Sequence, residues 1–89
     1  MKAVITVVGK DTVGILATVS GKCAEYNVNI NEVSQSVLQE MFCMIMVCDI
    51  SKISIPFGEF ATKLSDMGKE IGMSIHAMHE DIFNSMHRI

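Results

Sequence analysis

The segment from Ala3 to Asn31, AVITVVGKDTVGILATVSGKCAEYNVNIN, leaves few folds open to this chain. Its β-branched run, Val4-Ile5-Thr6-Val7-Val8, predicts a strand that breaks at Gly9 into a short polar loop, Lys10-Asp11-Thr12. A helical pattern follows from Val13. The helix is expected to begin near Asp11 or Thr12, either of which can accept from the orphan N–H groups of a first turn. Ile15, Val19 and Cys23, joined by Leu16 and Tyr26, give it one apolar face, with Lys22 and Glu25 on the wet side. Asn27 suits a left-handed stop, and Asn29 to Asn31 lead into a second strand. Strand, turn, helix and return strand within about thirty residues make one βαβ-type unit. The second strand is expected beside the first.

The remainder repeats the theme. Ile30 to Ile50 reads as extended, a polar half followed by the dense apolar run Met41 to Cys48, with Gln39-Glu40 as the turn of a hairpin. Phe42, Met44, Met46 and Cys48 fall on one face of the third strand; Cys43, Ile45 and Val47 fall on the other. Pro56 opens a second helix, striped by Phe57, Phe60, Leu64, Met67 and Ile71 and stopped by Gly72. Glu59, Lys63, Asp66 and Glu70 form its wet face. Met73, Ile75 and Ala77 alternate with Ser74, His76 and Met78 as a fourth strand, and Glu80 to Ile89 fits a short terminal helix. The order β-α-β-β-α-β predicts a ferredoxin-like α+β sandwich, a four-stranded antiparallel sheet with two helices on one face. Right-handed crossovers place the first and third strands at its centre.

Length and composition narrow the function classes. With 89 residues the chain is expected to form one domain over residues 1–89, burying roughly 60 to 65% of its unfolded surface. An apolar content of 49% is high for so small a body, and a sandwich covers only one face of its sheet. Both faces of the third strand are apolar, and whichever of them the helices leave bare calls for another copy of the chain, a homodimer or larger. A net charge of −3 gives no footprint for nucleic acid or an anionic membrane. No apolar run approaches the roughly 20 residues of a membrane span. No signal-peptide pattern precedes the first strand, so a cytoplasmic location is expected. Three cysteines make an odd count without metal-type spacing and read as buried, reduced thiols.

The loop Gly9-Lys10-Asp11-Thr12-Val13-Gly14 is the candidate site. Gly9 permits a sharp exit from the strand, and Gly14, in the first helical turn, lets a ligand approach the backbone. First-turn N–H groups favour a carboxylate, and Asp11 suits an ammonium. A purely structural role stands beside this one, with Asp11 as a cap and the glycines as turn formers. The run is not a phosphate loop, since the Gly-Lys-Ser/Thr ending is absent. Asn29 and Asn31 flank Ile30 at the start of the second strand and would orient a polar ligand, or serve as turn residues. His76 and His79 lie three apart in a strand, on opposite faces, which is poor for a metal. His87 reads as a solvated helix residue. Ser20, Ser34 and Ser36 lack a histidine–carboxylate pattern, so neither catalysis nor a cofactor is expected.

The order of elements, with ITVVGKDTVGILATVSGKCAEYNVNI, resembles the ACT domain, in its stand-alone form, over residues 1 to 79. The most specific piece is Gly9-Lys10-Asp11-x-x-Gly14-Ile15, followed by Asn29-Ile30 and Val33-Ser34-Gln35; Val13 stands where many members have proline. The resemblance implies a non-catalytic regulatory module binding an amino acid or similar metabolite at a subunit interface. The loop around Asp11 and Gly14 would face the ligand, with Asn29 and Asn31 on the neighbouring strand. Many such domains have no known ligand, which leaves open an assembly adaptor for a partner enzyme or regulator.

Overall fold

The computed structural model describes residues 1–10 and 14–86. The β-branched run forms β1 (Lys2–Lys10), and α1 spans Ile15–Glu25. Two long strands, β2 (Asn29–Leu38) and β3 (Met41–Asp49), make the predicted hairpin. Then come α2 (Phe57–Ile71), β4 (Met73–His79) and α3 (Glu80–Met86). The hairpin turns on Gln39 and Glu40 at φ 50° and 72°, both left-handed, the twist that two-residue hairpins require. Asn27 at φ 62° and Gly72 at φ 75° terminate the two long helices as their sequence implies.

The sheet order is β2-β3-β1-β4, antiparallel throughout, with β1 and β3 at the centre. This is the ferredoxin-like βαββαβ sandwich. Ala3, Ile5 and Val7 meet Phe42, Met44, Met46 and Cys48 on the covered face, under Ile15, Val19 and Cys23 of α1 and Phe60, Leu64 and Met67 of α2. Cys43 and Ile45 are exposed on the opposite face, so of the two apolar faces of β3 the one with Phe42, Met44, Met46 and Cys48 is the one the helices cover.

Four expectations need correction. β2 lies beside β3, not β1, because the crossover through α1 skips one strand position and the hairpin then fills it. β1 does not break at Gly9, which pairs with Phe42 on one side and Met73 on the other. A side chain at Gly9 would collide with Met73 Sδ, so this glycine makes room for packing. The first helix starts at Ile15, with Gly14 before it at φ 83°. Leu16 and Ile71 are exposed, Leu16 because it is one step off the buried stripe of α1 and Ile71 because it is the last residue of α2, beyond the turn that Met67 and Gly68 bury. In α2 the buried place next to Met67 belongs to Gly68, whose absent Cβ would stand 2.6 Å from Met73 O.

Candidate functional site

The register separates the two groups of candidate residues. Lys10, at one end of the sheet, pairs with Met41, which pairs with Leu38. At the other end Lys2 pairs with Asp49, which pairs with Asn29. The eight steps of β1 between these ends span about 26 Å at roughly 3.3 Å per residue. Asn29 and the Gly9–Gly14 loop therefore stand at opposite ends of one chain, and no small ligand reaches both there.

At the loop end, Gly9 is inside the sheet, Lys10 is exposed, and Asp11, Thr12 and Val13 lie outside the described residues. Gly14 adopts its left-handed conformation with open space where a Cβ would be, and its carbonyl accepts from Thr18 N at 3.0 Å and Thr18 Oγ1 at 3.1 Å. Having no side chain, Gly14 supplies no cap, and the N–H groups of Ile15, Leu16 and Ala17 point out along the helix axis. Ile15 turns its side chain into the core. Among the described residues, Gly14 and the positive end of α1 offer a ligand backbone groups at this end, beside the exposed Lys10.

At the other end Asn29 is exposed, and Ile30 packs partly against the core. The pairing slips between Ile30 and Glu32, leaving Asn31 as the extra residue of a β-bulge. The bulge returns Val33 to the helix-side face that Ile30 occupies, and Asn31 sits exposed on the outward bend. A cleft of about 540 Å³ opens beside Asn29, where the turns after α1 and β3 meet. Asn27 Nδ2 donates to Lys52 O at 2.9 Å and Ser54 N to Tyr26 O at 2.9 Å, which bolts those turns together. Asp49 Oδ1 accepts from Ser51 N at 2.9 Å. That backbone donor, helped by the Ser51 hydroxyl and the nearby amino terminus and Lys2, holds the Asp49 carboxyl below its ordinary value.

The sequence reading passed over this cleft and its charged residues, Asp49 and Lys52, because nothing local marks the end of β3 as lying against the end of α1. Of the cysteines, Cys23 and Cys48 are buried together and Cys43 is exposed, which corrects the expectation that all three are buried. Contact with Cys23, reinforced by burial, pushes the Cys48 thiol up. His76 Nε2 and Ser74 Oγ stand 3.1 Å apart on the bare sheet face, and His79 stacks on Phe57 at 4.5 Å between centroids. Among the described residues no three His, Cys, Asp or Glu side chains converge as a metal site would require. His87 lies outside the described residues. No described helix is long and apolar enough to cross a membrane.

This architecture defines a small α+β sandwich fold. A profile of the ACT domain matches residues 2–78, and the chain belongs to the ACT domain family, a family of regulatory, non-catalytic modules. It is 51% identical to a UPF0237 protein of Listeria innocua over 89 residues, covering 100% of each. The structure of an ACT domain protein from Streptococcus pneumoniae superposes with a TM-score of 0.81 at 41% identity, covering 98% of each chain. The regulatory subunit of aspartate kinase from Thermus thermophilus shares the fold, with a TM-score of 0.66 at 23% identity over 85% of this chain and 49% of that one.

Proposed function

We propose that this chain is a cytoplasmic, homo-oligomeric sensor that binds an amino acid or similar small metabolite between copies. In this reading the Gly9–Gly14 loop of one copy meets the Asn29–Asn31 segment of another. The observation that carries it is the separation of the two groups to opposite ends of β1, about 26 Å apart. Two copies related by a two-fold axis across the strands bring the loop end of each against the Asn29 end of its partner, giving two equivalent sites. The bare sheet face supports such pairing. Val4, Thr6 and Val8 of β1, Cys43, Ile45 and Val47 of β3, and Ser74, His76 and Met78 of β4 form its middle, with Val4 already buried, while Lys2 and Asp49 at one end, Lys10 at the other and Glu32 beside Val47 bring both signs of charge to its margin. A largely apolar middle with charges of both signs at its margin can pair with its own copy.

A specific observation favours an alternative. The outer strand β2 presents an unpaired edge with Val33 and Val37 exposed beside it, a surface on which a partner enzyme or regulator could add a strand. That reading makes the chain an adaptor without a small ligand. A thermal-shift screen with the twenty amino acids separates the two. A ligand at 100 times its dissociation constant raises stability by about 2.7 kcal/mol, a shift of many degrees in a chain of this size. No shift with any of them refutes the sensor. Ile45→Glu tests the assembly: light scattering should give the mass of one chain, and Cys43 should react faster with a thiol reagent than in the parent. A parent that is already monomeric would refute pairing through this face.

A further inference from the structure

We propose that the cleft between the end of α1 and the end of β3 recognises the zwitterion of a free α-amino acid, Asp49 taking the ammonium and Lys52 the carboxylate. The inference rests on the reading of the chain as an amino-acid sensor and assigns the charged half of its site. The cleft, about 540 Å³, is of small-molecule size and is lined by Ala24, Asn27, Asn29, Asp49, Ser51 and Lys52. Its two formal charges have opposite sign, and they do not form an ion pair with each other; the one such pair among the described residues is Lys22–Glu25 at 3.5 Å. A ligand with both charges is the species that satisfies both residues, whereas a simple anion or amine leaves one of them facing its own kind of charge or water.

The cleft is also held in shape. Ser51 orients the Asp49 carboxylate through its backbone N–H at 2.9 Å, and a carboxylate has lone pairs for further donors. The amino terminus and Lys2 lie close enough to act on Asp49, so ammonium groups are already drawn to this carboxylate. Lys52 is exposed, but its carbonyl is fixed by Asn27 Nδ2 at 2.9 Å, so the base of its side chain does not wander. The exposed Asn29 and the apolar Ala24 stand at the wall, where the amino acid's own side chain would lie.

The test begins with the parent and the twenty amino acids at millimolar concentration. The tightest binder is then titrated by calorimetry alongside its N-acetyl derivative, which lacks the ammonium, and its methyl ester, which lacks the carboxylate. Asp49→Asn keeps the acceptor for Ser51 and Lys52→Gln keeps the backbone bond, so both variants should fold with the parent's circular dichroism. Each should lose affinity about tenfold or more, as expected for a charged hydrogen bond. Asp49→Asn should erase the preference for the free amino acid over its N-acetyl form, and Lys52→Gln the preference over the ester. If both variants bind the amino acid as tightly as the parent, the assignment of this cleft is overturned while the sensor reading stands. If the parent binds none of the twenty, both fall together.

Discussion

Gly21 and Gly68 are both interior residues of helices, and alanine at either position gains about 1 kcal/mol of intrinsic helix preference. The surroundings set the sign of the outcome. Around Gly21 nothing lies within 4 Å of an added Cβ, so the gain is realised in full. At Gly68 the same methyl would stand 2.6 Å from Met73 O and 2.9 Å from Ile75 Cγ1. The carbonyl belongs to a paired strand and cannot swing aside, so α2 must lift from β4 and loosen Phe60, Leu64 and Met67. Overpacking of that kind costs about 3 kcal/mol at the upper end of its usual range, leaving Gly68→Ala about 2 kcal/mol less stable than the parent. The two variants should thus differ by about 3 kcal/mol, or roughly 12 to 24 °C in melting midpoint for a chain of this size. Urea unfolding with an unchanged slope would measure it directly. A total stability of about 4 to 13 kcal/mol leaves both variants folded for the comparison. Equal stabilisation by both substitutions would refute the close approach of α2 to β4.

Gly14→Ala should destabilise by about 1 to 2 kcal/mol, because φ 83° is a left-handed conformation that alanine resists although the space is open; a stabilised variant would put Gly14 inside the helix. Replacing Gln39-Glu40 with Asn-Gly should add about 1 kcal/mol in the same unfolding assay, since φ 50° and 72° suit those residues better. The Asp49 carboxyl titrates lower folded than unfolded, so its contribution to stability is complete above the ordinary aspartate value of about 3.9 and is lost as pH falls through the lower folded value. Acid unfolding of Asp49→Asn should lack that component, and an identical pH profile would show the Ser51 contact to be without effect.

Much of the fold is written in local periodicity. The three- and four-residue spacing of Phe60, Leu64 and Met67 decides which side of α2 is buried, and the alternation from Phe42 to Cys48 marks β3 as a strand. Asn27, Gly72 and the Gln39-Glu40 turn stop their elements through backbone conformations their own residues adopt. Such features involve neighbours along the chain, so the sequence alone determines them. Tertiary structure decided the rest. Gly9 looks in sequence like a turn residue, yet it is small because Met73, far along the chain, packs against it, and Gly68 is small because Met73 and Ile75 of β4 come close to it. Asn31 becomes a bulge only when paired against β3, and β2 lies beside β3 only because the hairpin claims that edge. The candidate site was affected most. Gly9–Gly14 and Asn29–Asn31 are close in sequence, but α1 returns the chain to the start of the sheet and leaves them at opposite ends. The same return brings Asn27 against Lys52 and Asn29 beside Asp49, forming a charged cleft from residues twenty or more positions apart. Periodicity carries no information about such distances; only the packing of one segment on another sets them.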